Sequence, residues 1–305
     1  MVLEGGAGEV WTVAFHSDGK HFFDGTRNGI RRWRVADGQE LGKQTRMDLN
    51  AISVSKDQKW IVCGTMTGAS VWDAELRKKV AEVERGEHVV SVDVAPDCAK
   101  FATGTQGEAN IWSTTTRERL LSLLELGGDV SGLRFSPDGS RLATAGYSTI
   151  RIFDAHNGDH LISIENPIPA NSYLPIVWST HGQQLFAVSN DYKIKSFDSS
   201  TGSPLAEWQI HENSNGPMSV ALSANGKFIA SSAGRFISFW DTLTHTQLGI
   251  VEGTHVIQSI ALSPDGCHLA IGSRNSGSSI IWNLGGILPD SYLPGNVSTS
   301  ILKSR

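Results

Sequence analysis

Short runs of alternating apolar and polar residues, separated by turn-forming tetrapeptides, recur along the chain. Val10-Trp11-Thr12-Val13-Ala14-Phe15 leads into one such turn, and Arg141-Leu142-Ala143-Thr144-Ala145 follows another. A period of two is that of a strand whose side chains alternate between the faces of a sheet. The turns are HSDG at 16–19, SKDQ at 55–58, APDC at 95–98, SPDG at 136–139, STHG at 179–182, SANG at 223–226 and SPDG at 263–266. Their Pro, Asp, Asn and Gly residues favour tight reversals. An aromatic closes a short apolar stretch after each turn, at Trp33, Trp72, Trp112, Phe153, Phe197, Trp240 and Trp282, in steps of 39, 40, 41, 44, 43 and 42. Eight residues beyond the first six aromatics stand Leu41, Val80, Leu120, Leu161, Leu205 and Leu248.

Each period therefore reads as four short strands. One such sheet cannot bury both its faces, so seven units must pack face to face around an axis and close into a ring. The pattern predicts an all-β, seven-bladed β-propeller of four-stranded antiparallel blades over residues 1–284, with a tail at 285–305. Leu3-Glu4-Gly5 has the phase of a fourth strand, whereas the eighth position after Trp282 is Asp290, so the N-terminal strand is expected to complete the last blade. One stretch conflicts locally: 73–88, DAELRKKVAEVERGEH, favours helix by composition. Val80 keeps it in the strand register.

Composition narrows the function. Of 305 residues, 39% are hydrophobic and 19% charged, which supports a packed core. Lys and Arg total 26 against 31 for Asp and Glu, with no basic block to match a phosphate backbone, so nucleic acid is not an expected partner. No run of about 18 apolar residues signals a membrane span, and MVLEGGAGEV has no secretory pattern. Cys63, Cys98 and Cys267 form neither a disulfide framework nor a zinc pattern. A reducing, cytoplasmic setting is expected.

The motifs resemble the WD-repeat (WD40) family. Trp72-Asp73 and Trp240-Asp241 are the eponymous pair, Phe153-Asp154 and Phe197-Asp198 are variants of it, and SPDG occurs twice. The resemblance implies a propeller that acts as an interaction scaffold. It also implies a buried His-Ser/Thr-Asp-Trp network, which this chain departs from. The Gly-His pair survives only as Gly86-Glu87-His88 and Gly253-Thr254-His255, and Gly25, Gly64 and Gly104 lie one residue closer to their tryptophans than the family pattern has them. The network is therefore expected to be incomplete in most blades. WD-repeat arrays also sit at the ends of NACHT-type signalling proteins, so a ligand-sensing end segment is an alternative implied by the resemblance.

Chemistry is sparse in the sequence. The ten histidines are scattered, and Asp154, His156, Asp159 and His160 fall in a hairpin turn where their side chains should splay into water. GTRNG at 25–29, GTQGE at 104–108 and SRNSG at 273–277 open no helix and lack a P-loop ending. No catalytic, cofactor or metal residues are expected. An enzyme in the channel needs convergent ionisable groups, and the second residues of the inner strands, Trp11, Asn50, Val90, Ser131, Leu174, Met218 and Gln258, are non-ionisable.

The leading expectation is a non-catalytic module that binds a protein or peptide on the face bearing the second-to-third strand turns and the blade connections. The two longest connections are consecutive and carry ENPIPANS at 165–172 and HENSNG at 211–216. Tyr147, Ile168, Tyr173 and Tyr192 are the expected anchors over blades four to six, with His211 and Asn213 at the rim. Glu9, Asp48 and Asp129, one slot before their inner strands, offer an acidic second choice for a basic peptide or cation.

Overall fold

Each tetrapeptide reverses the chain between an innermost strand and its neighbour. In the computed structural model, which describes residues 1–4, 8–45, 47–123, 130–167, 172, 175–210, 216–274 and 277–294, twenty-eight strands form seven four-stranded antiparallel sheets. The inner strands are Val10–Phe15, Leu49–Val54, Ser91–Val94, Gly132–Phe135, Ile176–Trp178, Met218–Leu222 and Ile257–Leu262. The outer strands of blades one to six are Glu40–Thr45, Lys79–Val83, Arg119–Leu123, His160–Glu165, Pro204–Gln209 and Gln247–Glu252. Lys79–Val83 lies inside the stretch with helical composition, so tertiary pairing overrides local propensity there. Among the described residues the only helical turn is Asp290–Tyr292, and no helix is long and apolar enough to cross a membrane.

Val2–Glu4 completes blade seven, pairing Val2 with Ile280, Leu3 with Ser279 and Glu4 with Ser278. Leu3 is buried beside Phe22, Trp33 and Ile281, so this strand joins the first and last blades through side chains as well as its backbone. Deleting residues 1–8 should lower stability by about 1–3 kcal/mol, the scale of losing one short strand and its buried leucine. A thermal melt checks this, and an unchanged midpoint would show that the strand contributes nothing to closure.

The aliphatic eight residues after the aromatic has a different role from that of a core residue. In blade two Val71 pairs with Ala81 and Trp72 with Lys79, leaving Val80 as the extra residue of a bulge. The same shift occurs at Trp112, Phe153, Phe197 and Trp240. Val80, Leu120, Leu161 and Leu205 are accordingly exposed.

Blades meet at small residues. A β-carbon on Gly64 would lie 2.8 Å from Val89 Cγ1 and 3.1 Å from the Val89 carbonyl, at the start of blade three. Gly104 meets Val130 of blade four at the same 2.8 Å. These glycines are packing positions within strands, where neighbouring backbones approach too closely for a side chain.

The chain does not leave the ring after the last strand. Leu284, Leu288 and Leu293 are buried in one cluster with Phe228 and Phe239 of blade six and Ile280 of blade seven. The Tyr292 hydroxyl donates to Asp241 Oδ2 at 2.5 Å, and Lys227 Nζ donates to the Ser291 carbonyl at 2.8 Å. Burial acts to raise the Asp241 pKa, but hydrogen bonds from Tyr292 and from the Thr244 and Leu243 N–H groups outweigh it and hold the carboxyl at about 2.

Candidate functional site

Backbone bonds tie the second-to-third strand turns to the blade connections on one face. Val89 N donates to Thr65 O, Asn166 N to Ser148 O, Asn190 N to Pro167 O and Ile210 N to Tyr192 O, at 2.8–2.9 Å. Tyr147 stands on the turn of blade four and is 57% exposed. Tyr192, on the turn of blade five, has a φ of 58° and packs half-buried against the cluster containing Trp208 and Ile210. The two tyrosines thus share a face, but Tyr147 is mostly exposed while Tyr192 covers core. Beside them, Lys193 Nζ lies 2.5 Å from Glu207 and Lys195 Nζ 3.2 Å from Asp191. The Glu207 carboxylate raises the Lys193 pKa by accepting its hydrogen bond.

Ile168, Tyr173, His211 and Asn213 lie outside the described residues. So does Asp129. Of the remaining acidic candidates, Asp48 is exposed and Glu9 sits 3.5 Å from Arg274 Nε, which offsets its charge.

The central channel is lined by one position per blade: Ala14, Ser53, Asp93, Arg134, Val177, Ala221 and Ala261. Each stands two residues before its turn tetrapeptide. This register is three residues beyond the one expected to line the channel, and it brings together two ionisable groups that the earlier register lacks. Inner strands are sheet edges, and their channel-side N–H groups need acceptors. Side chains of the preceding blade provide them. Val94 N donates to Ser53 Oγ at 3.0 Å, Leu133 N to Ser91 Oγ at 3.0 Å and Phe135 N to Asp93 Oδ2 at 2.9 Å. Asp93 also accepts from Arg134 Nη1 and Ser53 Oγ, both at 3.3 Å. Burial pushes the Asp93 pKa up, against the opposing pull of Arg134 and the Phe135 N–H. The cavity of about 310 Å³ around this pair is otherwise walled by Val, Ala, Ile, Leu, Phe, Ser and Pro side chains. A carboxylate held by a guanidinium and a backbone amide is a brace between blades three and four, with no nucleophile–base pairing beside it.

A second polar cluster lies at the ring-closing seam. Asp24 is fully buried and takes a bidentate pair of bonds from Arg31 Nε and Nη2, each 2.7 Å. Trp33 Nε1 donates to the same carboxylate at 2.9 Å, and Ser279 Oγ of blade seven does so at 2.5 Å. Asp24 fills the slot nine residues before the tryptophan, where Thr103 and Ser231 accept from Trp112 and Trp240 in blades three and six. Glu84, from the connection after blade two, extends the blade-three cluster by accepting from Thr103 and Asn110. The indoles of Trp33, Trp72, Trp112 and Trp240 donate to Asp24, Ser70, Thr103 and Ser231, and no histidine takes part in these bonds. The network expected to be incomplete is thus rebuilt with carboxylates in blades one and three.

The remaining sequence candidates behave as turn or core residues. Asp154 Oδ1 accepts the backbone N–H groups of His156 and Asn157, while His160 Nε2 contacts Ser163, so this set does not converge. Cys63 is buried, and desolvation pushes its thiol up. Cys267, next to the blade-seven turn, is largely buried as well, and desolvation with the Asp265 charge raises its pKa. Neither thiol is activated.

Similarity to known proteins agrees with this architecture. The family model described as WD domain, G-beta repeat, matches residues 121–154 and 202–241. The chain is 24% identical over 238 residues to the putative BTB/POZ domain and WD-repeat protein R61 of Acanthamoeba polyphaga mimivirus, covering 74% of this chain and 46% of that protein. It is 24% identical over 220 residues to eukaryotic translation initiation factor 3 subunit I of Scheffersomyces stipitis, covering 64% of this chain and 63% of the relative. With the LST8 homolog of Drosophila melanogaster it shares 27% identity over 157 residues, 51% of this chain and 50% of the relative. The chain thus spans between about half and just under two thirds of each of these relatives. Seven blades in the registers above, with two stretches matched by the repeat model, make the chain a seven-bladed β-propeller that carries WD40 repeats and is similar to WD-repeat proteins.

Proposed function

We propose that the chain is a non-catalytic interaction module that holds a protein or peptide against the face carrying the second-to-third strand turns. The observation that carries this reading is Tyr147, an aromatic more than half exposed at a turn that the fold does not need it to cover. Tyrosine offers large contact area at low entropic cost and is enriched in binding hot spots. The neighbouring pairs Lys193–Glu207 and Lys195–Asp191 supply a charged rim. The proposed surface also takes in Tyr192 and the expected anchors Ile168, Tyr173, His211 and Asn213 of the two longest connections, which lie outside the described residues. The channel supports scaffolding over catalysis, since its carboxylate is committed to joining blades. One relative is by name a subunit of a translation initiation factor, which fits a role inside an assembly. The reading includes a cytoplasmic setting, with neither nucleic acid nor membrane as partner.

Affinity capture with the intact chain, followed by titration calorimetry on the captured protein, tests the face. Tyr147→Ala should weaken binding by about 1–4 kcal/mol and change the melt little, because the side chain is more than half exposed. Full affinity in the folded variant would move the site to the rim of Glu9, Asp48 and Asp129. Tyr192→Ala is a poorer probe, since it also uncovers the core around Trp208.

A further inference from the structure

The turn of blade one departs from those of its neighbours in a way that gathers metal-binding atoms. In blades two, four and seven the first turn residue is a serine whose hydroxyl donates to the turn aspartate: Ser55 to Asp57 at 2.7 Å, Ser136 to Asp138 at 2.5 Å and Ser263 to Asp265 at 2.5 Å. Blade one has His16 in that position, and His21 follows at the start of the next strand. Asp18 Oδ1 accepts the Lys20 and His21 backbone N–H groups at 2.8 and 3.1 Å, which closes the turn. Its other oxygen, Oδ2, faces two imidazoles, with His21 Nδ1 at 2.7 Å and His16 Nδ1 at 3.1 Å. The ligand atoms of all three residues lie within 4.8 Å of one another.

Hydrogen-bond accounting shows what this arrangement lacks. The Asp18 N–H donates to His16 Nδ1 at 3.3 Å, so that nitrogen presents a lone pair. That long contact uses the single in-plane lone pair of His16 Nδ1, which also lies 3.1 Å from Asp18 Oδ2, so a cation between the two atoms would take the lone pair over from the weaker contact. A histidine at the equivalent place in blade seven serves as an internal comparison. His268 Nδ1 stays 4.0 Å from Asp265, whose carboxylate is already engaged by Ser263.

We propose that His16 Nδ1, Asp18 Oδ2 and His21 Nδ1 form a binding site for a borderline divalent cation, with Zn²⁺ the best match to two imidazoles and one carboxylate. Bond lengths of about 2.0–2.1 Å in tetrahedral geometry place donor atoms about 3.3 Å apart. The separations of 2.7 and 3.1 Å reach that with small side-chain rotations. Binding replaces the His21 Nδ1 proton with the metal, and that proton leaves to solvent. His16 is buried, while Asp18 and His21 are each about one-fifth exposed, which gives the ion a route in and leaves a coordination position toward solvent. Gly19 of the same turn lies against Pro264 and Asp265 of blade seven, so the cation would rigidify the turn at the ring-closing seam.

The test uses the full chain, free of any histidine tag and stripped with chelator. Titration with Co²⁺ alone should give visible absorption that saturates at one equivalent and is displaced by Zn²⁺, and Zn²⁺ should raise the melting temperature. Asp18→Asn keeps the Oδ1 bonds that close the turn, as Asn225 does in blade six through its contacts with Ser223 and Lys227. That variant and His21→Ala should each weaken binding by more than the roughly 10–100-fold typical of losing an outer-shell partner. His268→Ala should bind like the parent. The proposal is overturned if the folded parent takes up no Co²⁺ or Zn²⁺, if uptake survives both substitutions, or if nitrogen NMR of the metal-free chain at neutral pH finds His16 doubly protonated.

Discussion

Replacing Asp24 with alanine should destabilise the ring by about 3–5 kcal/mol, the range for removing one member of a buried ion pair. The Arg31 guanidinium is only 2% exposed and donates two 2.7 Å bonds to this carboxylate, with a longer one to the Gly277 carbonyl at 3.3 Å. Removing Asp24 also strips the Trp33 indole and the Ser279 hydroxyl of their acceptor. The loss falls where blade one meets blade seven, so it should read out as a lower urea midpoint for the whole chain. Substituting Asp24 and Arg31 together with leucines should recover part of the loss, because both members of the buried pair are then replaced by apolar groups. A change below about 1 kcal/mol in the single variant would mean that Arg31 finds water or another acceptor, and that the seam is held by packing alone.

Leu288→Ala should cost about 2–5 kcal/mol, the range for truncating a buried leucine. Leu288 is 4% exposed and belongs to the cluster around Phe228 and Phe239. The effect should fall toward the lower end, because the energy with which residues 285–294 dock sets a ceiling. Equilibrium unfolding measures it, and a neutral substitution would show that the segment adds nothing to blade six. Tyr292→Phe is the companion variant. It removes the hydrogen bond to Asp241 while keeping the ring, so the Asp241 carboxyl should titrate higher.

The blades and their closure were legible because they rest on long-range periodicity that no local propensity can imitate. Lys79–Val83 is the clearest case, since its lysines and glutamates favour helix but Trp72 needs a partner strand. The bulge at Val80 was less legible, because an aliphatic at a fixed offset marks a position without saying which way it points. The Ser53–Asp93–Arg134 row was present in the sequence two residues before each turn, but strand alternation alone does not say which of two adjacent residues of an inner strand faces the axis. Asp24 hid in a slot that other blades fill with Thr or Ser. The grouping of His16, Asp18 and His21 was missed because their spacing fits no helix or strand face, and only the tight turn folds the three side chains together. Of the residues expected as anchors, Tyr147 and Tyr192 both lie on second-to-third strand turns, yet solvent exposure separates them, and exposure depends on neighbouring blades that no single motif encodes.

The pairing of Val2 with Ile280 also sets a clock on synthesis. The two partners are 278 residues apart, so at about 5–20 residues per second a ribosome needs roughly 15–55 s to supply the second after the first. Through that interval Leu3 has no finished blade to enter, and the edge of Val2–Glu4 is open to any other strand it meets. Six blades can form as they emerge, but the clasp waits for the seventh. Slow decoding or an early stop within residues 257–283 would therefore leave a ring that cannot shut, with its first strand free to pair with another copy.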